Sequence, residues 1–185
     1  MMNEQMITGY PSIDKPWLKY YSEEAINTQI PSMTMYQYAY NKNKENMSTQ
    51  CFDYFGRKIY YSDFFEKVKL VAGNLQQMGV GNGDVVTIMS MHTPETLITI
   101  YALNYIGAIA NMVYMTISEK EVTDIIKNTD SKLFFALDIV IEKVNEIEKH
   151  IDIPIVILEV SDSMPIFKIC FKTEKNIKKK QLYKI

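Results

Sequence analysis

"LQQMGVGNGDVVTIMSMHTPE", residues 75–95, holds three glycines at alternate positions, Gly79, Gly81 and Gly83, directly before an apolar run. A glycine loop that binds phosphate follows a strand and opens a helix, so that free N–H groups and the helix dipole meet the anion. Here the order is reversed. Phe64, Val68, Val71, Leu75 and Met78 recur at helical steps before Gly79, and "VVTIM" (85–89) after Gly83 is strand-like. The pattern G-x-G-x-G-D also lacks the third fingerprint glycine and sets Asp84 where phosphate is repelled. These glycines are expected to stop a helix at a left-handed Gly79 and turn the chain into a strand.

Downstream, "SMHTPE" leaves that strand and enters a helix, with Thr93 as N-cap and Pro94 at the first helical position. The pattern then predicts a helix over 94–106, a buried strand over 109–114 and a helix over 118–129. That last helix is opened by the capping box Ser118–Glu121, with Val122, Ile125 and Ile126 inward. A strand over 132–137, a helix over 138–149 and a strand over 153–160 follow. Strand–helix–strand units of this length require parallel pairing and right-handed crossovers.

Upstream, "STQCFDYFGRKIYYSDF" has two β-prone aromatic runs flanking Gly56-Arg57 and predicts a hairpin, after which Ser62 caps a helix. A further helix is expected from Ser32 or Thr34. The fold class is α/β: an open, mainly parallel sheet with flanking helices, preceded by a small β-hairpin. Residues 1–31 are expected to form an irregular arm with a helical turn near Ser22–Gln29, and Trp17 and Tyr20 as its packing residues. Residues 32–165 are expected to form the α/β body, and 166–185 a basic, disordered tail.

Composition narrows the function classes. A chain of 185 residues with 47% apolar and 23% charged residues has the size and balance of one folded domain. Net charge −2 and a pI near 5.8 favour neither nucleic acid nor an anionic membrane as partner. Residues 168–185 carry seven lysines against Glu174, so the preceding residues sum to −8. Cys51 and Cys170 match no disulfide or metal spacing, and the start of the chain has no basic stretch followed by an apolar core. A cytoplasmic location is expected. Residues 96–118 contain no charged side chain, long enough for a membrane span. Gly107 splits this run into a helix and a strand, so a core pair is expected and no transmembrane segment.

Open α/β sheets bind ligands at the C-terminal ends of their strands. His92 and Thr93, in the loop after residue 89, are therefore the candidate site residues. The plainer roles are an exposed loop histidine and a helix cap, and His150 is expected to complement a helix C-terminus.

The motif order resembles the N-terminal portion of adenylate-forming enzymes, the AMP-dependent acyl-CoA synthetase and ligase family, over roughly residues 9–165. "FDYFGRKIYYSDFFEKV" is similar to the family's hairpin and "(T/S)Y-x-(E/D)-(L/F)", and "LQQMGVGNGDVVTIMSMHTPE" to "L-x-x-x-G-V-x-x-G-D-x-V" leading into "N-x-P-E". "ALNYIGAIANMVYMTISEKEV" is similar to "A-x-x-x-G-A-(I/V)-x" followed by "P-x-x-E"; "GYPSIDKPWLKYY" and "SDSMP" look closest to bacterial fatty-acid-CoA synthetases. Met115 stands where the family usually has proline and His92 where it often has asparagine.

The resemblance implies an incomplete N-terminal part of an adenylate-forming domain. The whole enzymes activate a fatty or other carboxylic acid with ATP and Mg²⁺, then pass the acyl group to coenzyme A. No residue here matches their phosphate loop, adenine loop, ribose aspartate or catalytic lysine. All seven glycines lie at or before Gly107, so no S-G-T-T-G-x-P-K loop follows it in this sequence. No catalytic, cofactor-binding or metal residue is therefore assigned, no cofactor is expected for this chain alone, and the expected partner is the C-terminal remainder of a synthetase. A freestanding binding or interaction protein built on the same fold is the second expectation.

Overall fold

The computed structural model describes residues 7–160, 163 and 164; the expected basic tail lies outside the described residues. The chain divides into two units between Ser32 and Met33. The first holds helix α1 (Pro11–Asp14), a 3₁₀ turn at Pro16–Tyr20 and helix α2 (Glu23–Asn27). Ser22 caps α2 by accepting from the Ala25 N–H. No residue of these elements is buried; Trp17 and Tyr20, read as packing residues, are 43% and 80% exposed.

The second unit begins with α3 (Met35–Asn43), followed by β1 (Gln50–Tyr54), β2 (Arg57–Tyr60) and α4 (Tyr61–Gln77). Thr34 and Gln37 close a reciprocal capping box at the start of α3. β1 and β2 pair antiparallel as a separate two-stranded sheet. The hairpin turn is Phe55-Gly56, one residue earlier than the sequence indicated, and both residues have positive φ. That backbone matches the twist of the strands, and Asp53 holds it by accepting the Gly56 N–H at 2.8 Å. Nor does Ser62 cap α4. The N-cap is Tyr60, and the first free donors, Tyr61 N–H and Ser62 N–H, go to the carbonyls of Thr49 and Met47. The hairpin's approach thus satisfies the helix end that a side chain was expected to satisfy.

The remaining elements are β3 (Val85–Met89), α5 (Pro94–Ile106), β4 (Ile109–Val113), α6 (Glu119–Asn128), β5 (Leu133–Leu137), α7 (Ile141–Glu148) and β6 (Ile155–Leu158). All four strands of this sheet are parallel, in the order β4-β3-β5-β6. A 3₁₀ turn at Asp138–Val140 precedes α7, so the predicted helix over 138–149 is in fact a turn and a shorter helix.

Strand alternation assigns the two faces. Val86, Ile88, Leu133, Phe135, Val156 and Leu158 pack under α4 and α5, whereas Met89, Val113, Phe134 and Ala136 meet Val122, Ile126, Val144 and Ile147 of α6 and α7. α5 lies against α3, α4 and β4, and is apolar around most of its circumference because it is enclosed. This accounts for the uncharged run, and no helix among the described residues is long and apolar enough to cross a membrane.

The middle of the sheet contains a chain of hydroxyls. Thr87 and Ser131 are buried with their oxygens 2.7 Å apart; Asn111 donates to Thr87 at 3.0 Å, and Thr129 lies 2.8 Å from Ser131. One expectation fails at the sheet margin. β4 was read as buried, yet Ile109 and Met112 are 53% and 46% exposed, because β4 is an edge strand.

Candidate functional site

The glycine turn lies at the N-terminal end of β3. Gly79 and Gly83 have φ of +83° and +82°, and Gly81 donates its N–H at 2.7 Å to Asp84 of the same turn. Asp84 also takes Lys132 at 2.9 Å, and that bond, then the one from Gly81, holds its carboxyl below the usual range. The amide that an anion would need is thus given to the chain's own carboxylate. Gly107 belongs to the same corner: its φ is +78°, and a Cβ there would lie 2.3 Å from Asn82 Oδ1. These glycines build turns.

At the opposite, C-terminal end of the strands, three loops converge from the parallel topology. In the first, residues 90–93, Thr93 is 1% exposed and caps α5, accepting from Thr96 N–H at 3.2 Å. Its hydroxyl also meets that of Thr96 at 3.0 Å, and Thr96 meets Ser90 in turn. These three hydroxyls satisfy one another. His92, beside them, is exposed and makes no hydrogen bond among the described residues. Of the two sequence candidates, Thr93 is therefore bound into the helix cap and His92 is presented to solvent.

Glu95, the second residue of the same helix, gave no signal in the sequence beyond an ordinary acidic first-turn residue. It is 7% exposed, and its Oε2 has no hydrogen-bond partner, which distinguishes it among the described residues. Its charge is felt by Tyr54 at the end of β1, whose phenol is raised first by burial and then by Glu95.

The second loop follows β4. Lys143, projecting from α7, donates to the carbonyls of Met115 at 2.8 Å and Ile117 at 2.6 Å. Met115, where the resemblance implied proline, thus has its loop held by an ammonium group. Immediately after it, Ser118 and Glu121 form the predicted capping box of α6. Ser118 donates through both hydroxyl and backbone N–H, and these bonds hold the Glu121 carboxyl below its ordinary value. The third loop is tied by Val160 N–H donating to Asp138 at 3.2 Å.

His150 lies beyond the last residue of α7 and is exposed. With Lys127, Asp130, Lys149 and Asp152 it lines a shallow concavity of about 520 Å³ at the N-terminal ends of β5 and β6. This concavity carries both charge signs and lies at the end of the sheet where such folds seldom bind ligands. No group of three or more metal-binding side chains occurs among the described residues.

Each of the three strand-end loops is thus tied by hydrogen bonds of its own, through Thr93, Lys143 and Asp138. The profile of the family described as AMP-binding enzyme matches residues 39–183. The chain belongs to the AMP-binding enzyme family.

Among its relatives, the acetyl-coenzyme A synthetase of Penicillium chrysogenum is 34% identical over 83 residues, which is 45% of this chain and 12% of the relative. The 3-hydroxypropionyl-coenzyme A synthetase of Metallosphaera sedula is 33% identical over 99 residues, 52% of this chain and 15% of the relative. The acetyl-coenzyme A synthetase of Gemmatimonas aurantiaca is 26% identical over 125 residues, 68% and 19% respectively. The match thus spans less than a fifth of each of these relatives.

The fold of this chain is shared with solved structures. In its fold, a luciferase-like enzyme from the mealworm Zophobas morio superposes with a TM-score of 0.65 at 17% identity, covering 71% of this chain and 32% of that one. A benzoate CoA ligase from Burkholderia xenovorans gives 0.65 at 10% identity, covering 68% and 26%.

Proposed function

We propose that this chain is the N-terminal α/β portion of an ATP-dependent acid–CoA ligase, with residues 1–31 as an arm, 32–165 as the partial synthetase domain and 166–185 as a basic tail. In the whole enzyme a carboxylic acid attacks the α-phosphorus of ATP to give an acyl-adenylate and pyrophosphate. The thiol of coenzyme A then displaces AMP to give the acyl-CoA. The observation that carries this reading is the family match over residues 39–183 together with relatives named as acyl-CoA synthetases.

A fatty acid is the proposed substrate class, and the acetyl- and 3-hydroxypropionyl-specific names of the relatives support its short-chain end. ATP, Mg²⁺ and coenzyme A serve the whole enzyme, which we place in the cytoplasm. Within it, this chain acts as support: His92 and Thr93 in the loop after β3, and the Lys143-held loop after β4, border the acid site from the strand ends. By itself the chain is inactive, since its sequence contains no glycine-rich phosphate loop and the Gly81 amide is already taken by Asp84.

The test is acid-dependent ATP–pyrophosphate exchange by the purified 185-residue chain, with acetate, 3-hydroxypropionate and longer fatty acids in turn. No exchange above a heat-inactivated control is expected. Exchange with any of these acids would overturn the assignment of this chain as support alone.

A further inference from the structure

Glu95 carries an acceptor that nothing in the fold satisfies. It is the second residue of α5, at the C-terminal end of β3, where parallel sheets take their ligands. The residue is 7% exposed, and its Oε2 is buried without a hydrogen-bond partner. The hydroxyls around it are committed elsewhere. Those of Ser90, Thr93 and Thr96 bond among themselves, and Thr99 donates to the Glu95 backbone carbonyl. No cationic side chain among the described residues forms an ion pair with it. A buried carboxylate in this condition lowers stability, and proteins retain such groups where a ligand completes them.

The surroundings select the chemistry of that ligand. An ionised carboxylate only accepts, so the ligand brings donors, and a positive charge strengthens each bond it makes. Aromatic rings stand nearby. Tyr54, half-buried at the end of β1, is close enough for the Glu95 charge to reach its phenol, yet it makes no hydrogen bond to Oε2. Its ring meets that of Phe55 edge to face, with centroids 4.7 Å apart, and Phe55 is 51% exposed at the hairpin tip. Cations bind over the faces of such rings. A divalent metal needs more oxygens than this, and no group of three or more metal-binding side chains occurs among the described residues. An ammonium group is strongly hydrated and must shed that water to reach a carboxylate so enclosed. A guanidinium is weakly hydrated, flat, and donates through several N–H groups in one plane.

We propose that Glu95 and the Tyr54–Phe55 hairpin tip form a recognition site for the guanidinium of an arginine side chain from another polypeptide segment. The guanidinium donates to Glu95 and lies against the rings, while the exposed Phe55 covers the methylene stem of the arginine. Arg57, the one arginine in this sequence, stands opposite Tyr54 in the hairpin register but does not bond Oε2, so the group comes from outside. This inference concerns the chain on its own and does not depend on the acid–CoA ligase reading.

The test is titration of the 185-residue chain with the peptide acetyl-Gly-Arg-Gly-amide at fixed ionic strength, followed by NMR of labelled tyrosines. The Tyr54 signal, assigned with Tyr54→Phe, should shift saturably. The Tyr54 phenol should also titrate at lower pH with peptide bound, because the guanidinium offsets the Glu95 charge, while the larger effect of burial persists. Methylguanidinium should compete for the same site. The matching lysine peptide, and urea as the flat neutral analogue, should bind about tenfold more weakly or less. Glu95→Gln keeps the shape, removes the charge and should weaken the arginine peptide by about tenfold or more. Phe55→Gly, which suits the positive φ of that position, should weaken it severalfold. Circular dichroism matching the parent for both variants separates lost binding from lost folding.

No saturable shift at Tyr54 overturns the inference. So does binding that Glu95→Gln leaves unchanged, or a lysine peptide or urea that binds as well. Methylguanidinium that binds where the arginine peptide does not gives the site to free guanidinium compounds and likewise overturns it.

Discussion

Replacing Glu95 with methionine should stabilise the protein. The side chain is 7% exposed and its Oε2 has no partner, while the Glu95 backbone carbonyl accepts from Thr99 at 2.8 Å and is unaffected by the exchange. Leaving a buried polar atom unpaired costs about 1–3 kcal/mol. Against that, an acidic residue in the first turn of a helix contributes about 0.3–1 kcal/mol through the dipole. Methionine and glutamate have nearly equal helix propensity and similar volume, so neither backbone nor cavity terms intervene. The net gain is about 0–3 kcal/mol, centred on ~1 kcal/mol.

Urea unfolding followed by circular dichroism measures this directly, and the thermal midpoint should rise by about 2–4 °C for each kcal/mol. A second readout comes from Tyr54: with the Glu95 charge gone, its phenol should titrate lower than in the parent, while the larger effect of burial persists. A Glu95→Met protein with a lower urea midpoint would refute the reasoning, because it would mean that the carboxylate has a favourable partner in solution.

Two further outcomes follow from the ties between elements. Lys143→Met removes both hydrogen bonds to the loop after β4 and should speed hydrogen exchange and proteolysis across residues 114–118, while the helical circular dichroism stays near the parent; unchanged exchange there would show that the ammonium does not restrain the loop. For Asp84, the carboxyl is held low in the folded state by Lys132 and then Gly81, so its contribution is full above the unfolded carboxylate value and is lost as pH falls through the folded one. The stability difference between the parent and Lys132→Met should therefore be present at neutral pH and close in acid. A difference that persists in acid would contradict this linkage.

How much of this was legible in the chain varies with the range of the interaction. α5 announces both ends locally: Thr93 and Pro94 start it, and Gly107, at φ +78°, stops it. The capping box of α6 is equally local. The hairpin turn was misplaced by one residue because Phe55 adopts a positive φ, for which a bulky side chain carries no signal. The cap of α4 was misassigned because carbonyls from before the hairpin, at Met47 and Thr49, do a side chain's work.

β4 looked internal because an apolar run identifies a strand without saying how many neighbours it has. At the strand ends, Thr93 and His92 were found from their place after β3, but Glu95 and Lys143 were not. An orphaned carboxylate and an ammonium that spans from α7 to another loop are properties of tertiary distance. No spacing rule encodes them.

The hydroxyl relay through Thr87, Ser131, Thr129 and Asn111 acts as an alignment key for the sheet. A slip of β3 by a single residue would carry Thr87 to the other face, among the leucines and valines beneath α4 and α5, and strand its oxygen in an apolar setting. Wrongly aligned sheets are thereby penalised even where their hydrophobic contacts are nearly as good. Valine at position 87 would keep the bulk and lose the penalty, trading one alignment for several.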